Sequence, residues 1–167
     1  MRYLLDSNTY IQAKNQYYDM DVCVGYWEWL EIMFQAGEVC SIEFIGKELR
    51  DGNDELADWA KKQHHAGYFA KHDDEATQAV FVDIVNFVME KDYNPADRDK
   101  FLSKGDPWLI AKAKTTGATI VTHEATLVPA TRKVKIPNLC VEFDVPCINT
   151  FDMLRQLKAR FMLDKQS

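Results

Sequence analysis

The sequence predicts an α/β fold with a mainly parallel central sheet flanked by helices. Short apolar runs suited to buried strands occur at Tyr3-Leu4-Leu5, at Val39-Cys40 and over 118–122, with longer stretches of helical spacing between them. Strands separated by helices need crossovers, and crossovers favour parallel pairing. The 167 residues are 47% apolar and 28% charged, the balance of a globular chain long enough to bury a sizeable core.

Tyr3-Leu4-Leu5 forms the first strand and runs into Asp6, and Ser7-Asn8-Thr9 offers side chains to cap a following helix. Residues 22–36 are dense in aromatics and read as a buried helix that stops at Gly37. Val39-Cys40 is the second strand, with Ser41 as the cap of a helix over 42–50. Asp54 caps a helix over 55–65 that carries Leu56, Trp59 and Ala60 on one face. Residues 74–91 show the clearest amphipathic pattern, with Ala76, Val80, Ile84, Phe87 and Val88 at intervals of three to four. The stretch 54–91 therefore reads as a helical lobe on a single domain of residues 1–167.

Asn94-Pro95 opens a short helix with proline at its first position. Asp106-Pro107 starts the next, with Asp106 as a fitting N-cap and Gly117 as its end. The β-branched run 118–122 is a strand. Pro137 begins a short helix to about 143, for which strand is the alternative reading. Cys147-Ile148 is an edge strand and 150–162 a helix.

No apolar run approaches the roughly 18 residues of a membrane span, and the apolar run before Asp6 is too short for a signal peptide, so a cytoplasmic home is the default expectation. Cys23, Cys40, Cys140 and Cys147 contain no CxxC spacing, which argues against a zinc knuckle and for small buried hydrophobes. The net charge of -6 argues against nucleic-acid binding by bulk electrostatics alone, but leaves room for basic groups gathered around an acidic site.

Ligands of open α/β sheets gather at the carboxyl ends of strands. Asp6 ends the first strand and Glu124 follows the strand at 118–122. Asp106 opens the preceding helix, and Glu48 lies on the helix after Ser41. If these four carboxylates converge, their like charges require a counter-charge, and oxygen-only donors favour Mg2+ or Mn2+ over zinc. Such a cation can activate water for attack on phosphorus, so no nucleophilic side chain is needed. Glu43 competes with Glu48; five positions apart on a helix, only one of them should face the site.

Four stretches together resemble a known family. Tyr3-Leu4-Leu5-Asp6-Ser7-Asn8 is similar to the opening strand and first aspartate of PIN domains. The run from Ser41 to Leu49 resembles the helix whose glutamate precedes leucine. Asp106-Pro107-Trp108-Leu109-Ile110-Ala111-Lys112-Ala113 resembles the third acidic motif, and Ile120-Val121-Thr122-His123-Glu124 the fourth. The whole chain resembles most the DUF4411 branch of PIN-like proteins. Glu124 stands where many members carry aspartate, and Thr126 where some carry another acid. The resemblance implies a metal-dependent endoribonuclease with Asp6, Glu48, Asp106 and Glu124 as metal-binding and catalytic residues. Such proteins are often the toxin of a type II toxin–antitoxin pair, which implies a cognate antitoxin as partner and a homodimer as a plausible assembly.

Around these acids, Ser7, Asn8 and Thr122 are candidates for orienting the carboxylates, and Lys47, Arg50 and Lys112 for touching RNA phosphates. His123 reads as structural or exposed. The competing reading is a non-catalytic PIN-like module that binds RNA or protein; a DNA nuclease or phosphatase is a third, separable only by substrate.

Overall fold

The structure, a computed structural model, describes residues 2–124 and 131–162; Thr126 falls outside them. At the centre of the sheet is β1 (Tyr3–Leu5), buried at every residue. On one side β2 (Val39–Ile42) places Val39 opposite Tyr3, and β3 (Phe69–Ala70) adds beyond it. On the other side β4 (Thr119–Val121) places Ile120 opposite Leu4, and β5 (Cys147–Ile148) forms the far edge. Every pairing among these strands is parallel, in the order β3-β2-β1-β4-β5.

Helical crossovers make the parallel pairing possible. α1 (Ser7–Gln12), a π-helical turn (Ala13–Tyr17) and α2 (Val24–Gln35) join β1 to β2, while α3 (Glu43–Arg50) and α4 (Glu55–His65) join β2 to β3. α5 (Glu75–Glu90), α6 (Pro95–Leu102) and α7 (Asp106–Thr116) carry the chain back across β1 to β4. α8 (Ile136–Glu142) precedes β5, and α9 (Thr150–Gln156) follows it. Because the chain winds one way from β1 and then returns to its other side, the carboxyl ends of β1 and β4 flank a topological switch point, where a crevice opens.

Several expected boundaries hold for the expected reasons. Asp54 accepts from the Ala57 N–H at 3.0 Å and caps α4; Asn94 accepts from Ala96 at 2.9 Å before Pro95. Gly37 and Gly117 leave their helices at φ 75° and 69°, where a side chain is strained.

Others differ. Ser7, Asn8 and Thr9 lie inside α1 rather than capping it. Asp6 holds the N-cap position with its side chain turned elsewhere, and the Thr9 hydroxyl donates to the Val121 carbonyl at 3.0 Å. Ser41 belongs to β2, and its hydroxyl donates to the Leu5 carbonyl at 2.6 Å. Gly105 caps α7, leaving Asp106 as the first helical residue. α2 is only half-buried: Tyr26, Trp27 and Leu30 face the core, while Val24 and Ile32 face water. On α5 it is Thr77, not Ala76, that is buried. The stretch 54–91 holds the expected helices as α4 and α5, with the unexpected β3 between them extending the sheet. The last helix stops at Gln156, and Lys158 at φ 54° prevents its continuation to 162.

α3 lies close enough to β3 that only glycine fits between them. A Cβ at Gly46 would stand 2.5 to 2.8 Å from three atoms of the Phe69 ring, which strand pairing holds in place. Gly46→Ala is therefore expected to destabilise the protein by about 1–3 kcal/mol of overpacking, less the roughly 1 kcal/mol that alanine returns in a helix. Urea unfolding measures it, and an unchanged or raised midpoint would contradict the close approach.

Candidate functional site

The crevice at the switch point is lined by acids. Asp6 emerges from β1 with its N–H donating to the Val121 carbonyl at 2.9 Å, so its backbone is fixed by β4. Its fully buried carboxylate accepts from the Thr122 hydroxyl at 2.9 Å and, at 3.3 Å, from Ser7. Burial pushes its pKa up to about 6; the Thr122 hydrogen bond opposes that shift and the charge of Glu124 adds to it. Thr122 also accepts from the Glu124 N–H at 3.1 Å, so one hydroxyl ties the first acid to the loop of the fourth.

Asp106 shows the convergence most directly. Burial first, and then the charges of Asp6, Glu124 and Glu48, push its pKa up to about 8, with Lys104 opposing. Glu48 accepts from the Gly105 N–H at 3.3 Å, beside Lys104 at 3.8 Å, and burial raises its pKa. Glu124 accepts from the Ile136 N–H at 2.8 Å, satisfying the start of α8. Glu43 turns the other way, to Arg50 at 3.6 Å and His64 at 3.3 Å.

In donor type the four acids fit a hard divalent cation, and the unmet charge around Asp106 calls for one. In spacing they are looser: among the described residues no three His, Cys, Asp or Glu side chains stand close enough to hold a metal ion. The backbone tethers of Glu48 and Glu124 each occupy one carboxylate oxygen and hold these two side chains to Gly105 and Ile136.

Two cavities adjoin the acids. One, of about 480 Å³, carries Lys47, Glu48, Arg50, His72 and Lys104 in its wall. The other, of about 570 Å³, is bounded by Thr122, His123, Glu124, Cys140 and Cys147. Lys112 is in neither lining; its ammonium pairs with Asp74 at 2.7 Å. Asn8 is half-buried on α1. The cysteines are free thiols, with Cys40 and Cys140 buried as expected and Cys23 and Cys147 only partly so.

Residues 3–161 match a family described as a domain of unknown function, DUF4411. The chain belongs to that family. No curated protein matches it. The fold of this DUF4411 chain is similar to that of a chain in the crystal structure of VapBC2 from Rickettsia felis bound to a DNA fragment from their promoter. The TM-score is 0.54 at 14% identity, over 89% of this chain and 98% of that one. At that identity the likeness is one of fold, the α/β, PIN-like architecture. No helix among the described residues of this DUF4411 chain is long and apolar enough to cross a membrane.

Sequence reasoning passed over Lys104, although it stands two residues before Asp106 on the turn that Glu48 accepts from. It also passed over the pairing of Tyr17 with His123, whose rings stack 5.4 Å apart at 13°. No spacing rule links residues 106 positions apart, so that contact is visible only in the fold.

Proposed function

We propose that this chain is a divalent-metal-dependent endoribonuclease acting as the toxin of a toxin–antitoxin pair. The observation that carries the reading is the half-buried Asp106, which feels the charges of Asp6, Glu124 and Glu48 at once. Asp6 and Asp106 would hold Mg2+ or Mn2+, completed by Glu48 and Glu124. When bound, the cation supplies the charge that activates water and offsets the departing oxygen. Thr122 orients Asp6 through its hydroxyl, and the Thr122–Glu124 link keeps the two sides of the crevice in register. Lys47, Arg50 and Lys104 line the neighbouring cavity among Glu43, Glu48 and Asp51 and would give RNA phosphates their ion-pair partners on a chain whose net charge is -6. The fold likeness to a chain of VapBC2 supports an antitoxin as partner, and exposed Val22, Val24 and Ile32 offer apolar surface to it. A homodimer is part of the same proposal.

Cleavage of a single-stranded RNA under Mn2+ titration tests the reading. Asp6→Asn keeps the shape of the side chain and removes its charge, and is expected to abolish cleavage while leaving the thermal melt cooperative. Unchanged cleavage by the pure variant would refute the role given to Asp6.

The second reading is a non-catalytic PIN-like module that binds RNA or protein, and the observation that favours it is the wide spacing of the acids. Calorimetric titration separates the two, because a module without a metal site takes up no Mn2+.

A further inference from the structure

We infer that the cavity beside Glu124 and β5, together with the aromatic group Tyr17, His123 and Phe151, receives one unpaired nucleobase of the RNA next to the cleaved bond. The inference takes its ligand from the nuclease reading above. Three observations carry it.

The first is exposed aromatic surface next to the acids. Tyr17 leaves 45% of its surface in water and Phe151 36%. Their rings meet edge to face 5.4 Å apart, and Tyr17 stacks on His123, the residue before Glu124. The His123 Nε2 lies 2.9 Å from the Thr150 hydroxyl, which fixes the ring's orientation. Unpaired bases stack on such rings irrespective of sequence.

The second is the shape and lining of the cavity. It measures about 570 Å³ and has apolar walls from Pro137, Val141, Val145 and Ile148. The third is charge. Glu124 and Asp152 line this cavity, and among the described residues no lysine or arginine does. Lys135 pairs with Glu124 at 3.9 Å and Arg155 with Asp152 at 2.9 Å from outside the lining, so among the described residues the walls offer a phosphate no cation of their own, whereas a neutral base needs none. The cavity on the other side has Lys47, Arg50 and Lys104 in its wall, interleaved with Glu43, Glu48 and Asp51, and so holds the cations this one lacks. The two cavities thus divide the strand, with backbone toward α3 and base toward α8.

The test uses Asp106→Asn protein, which on the nuclease reading binds RNA without cutting it. Its affinity in Mg2+ buffer is measured for a fluorescein-labelled single-stranded oligoribonucleotide, for the same strand in a duplex, and for strands with one abasic residue moved along the sequence. Adding Tyr17→Ala is expected to weaken single-strand binding roughly tenfold or more, and Tyr17→Trp to restore it. One abasic position should lose all sensitivity to Tyr17. Tyr17→Leu keeps apolar volume without a ring and serves if the alanine variant melts early. Binding indifferent to alanine and leucine alike, or weakened equally for duplex, overturns the subsite. Mn2+ cleavage by the unsubstituted protein is scored in parallel. Cleavage with Tyr17-indifferent binding overturns the subsite alone, and ring-dependent binding without cleavage supports the subsite while overturning the nuclease reading. Absence of RNA binding overturns both.

Discussion

Asp106→Asn is expected to cut RNA cleavage by roughly a hundredfold or more while making the metal-free protein melt at a higher temperature at pH 8. The loss follows if Asp106 helps hold a cation worth several kcal/mol to the transition state. The gain in stability follows from electrostatics. Burial and the charges of Asp6, Glu124 and Glu48 raise the Asp106 carboxyl to about 8 in the folded chain, against its ordinary value of 3.8. A carboxyl raised on folding adds its stability below the unfolded value, and that contribution is lost as pH climbs through the folded value. The window therefore runs from about pH 4 to pH 8, and at its upper end folding must hold a charge among like charges. Each unit is worth about 1.4 kcal/mol, and allowing for the new amide's own hydrogen-bonding needs, a gain on the order of 2–4 kcal/mol is expected at pH 8. That is roughly 5–15 °C for a chain of this size, shrinking toward zero at pH 4. Melting curves at several pH values check it. A difference that does not depend on pH, or a variant less stable at pH 8, would show that Asp106 is not strained by its neighbours.

The second large effect lies in the core. Trp59→Ala is expected to lower stability by about 3–5 kcal/mol, a large share of the roughly 5–15 kcal/mol that holds a typical domain folded. Trp59 of α4 packs against Tyr10 of α1 at 5.7 Å, Trp27 of α2 at 5.3 Å and Tyr68 before β3 at 5.4 Å. One ring thus joins segments from two crossovers, the one from β1 to β2 and the one from β2 to β3. Its buried indole N–H has no hydrogen-bond partner among the described residues, so Trp59→Phe gives up area without orphaning anything and should cost clearly less. Urea midpoints of the two variants decide it. A phenylalanine variant as damaged as the alanine one would mean that the indole nitrogen is bound after all. Because Tyr10 sits four residues beyond Asp6, loosening this cluster should also raise the Mn2+ concentration needed for cleavage.

Three of the four candidate acids stand at element boundaries that the chain announces. Asp6 follows an apolar run, Asp106 precedes a proline, and Glu124 comes just after a β-branched strand. The parallel sheet was legible because helices separate its strands. What escaped was decided by tertiary context. Ser41 has the composition of a cap, but the sheet continues through it and its hydroxyl is taken by Leu5. β3 is two residues long, too short for any alternation to register. The side-chain tethers of Glu48 and Glu124 go to backbone N–H groups 57 and 12 residues away, which no local pattern encodes. The apolar residues of 22–36 occur on every side of the helix, and composition alone could not say which side would stay wet.

The shortness of β3 and β5 has one more effect. Both margins of the sheet end in two-residue strands, which offer an approaching chain almost no free ladder to extend. Two molecules meeting in solution must therefore join through helical faces, and growth into fibres by adding strand to strand has little to start from.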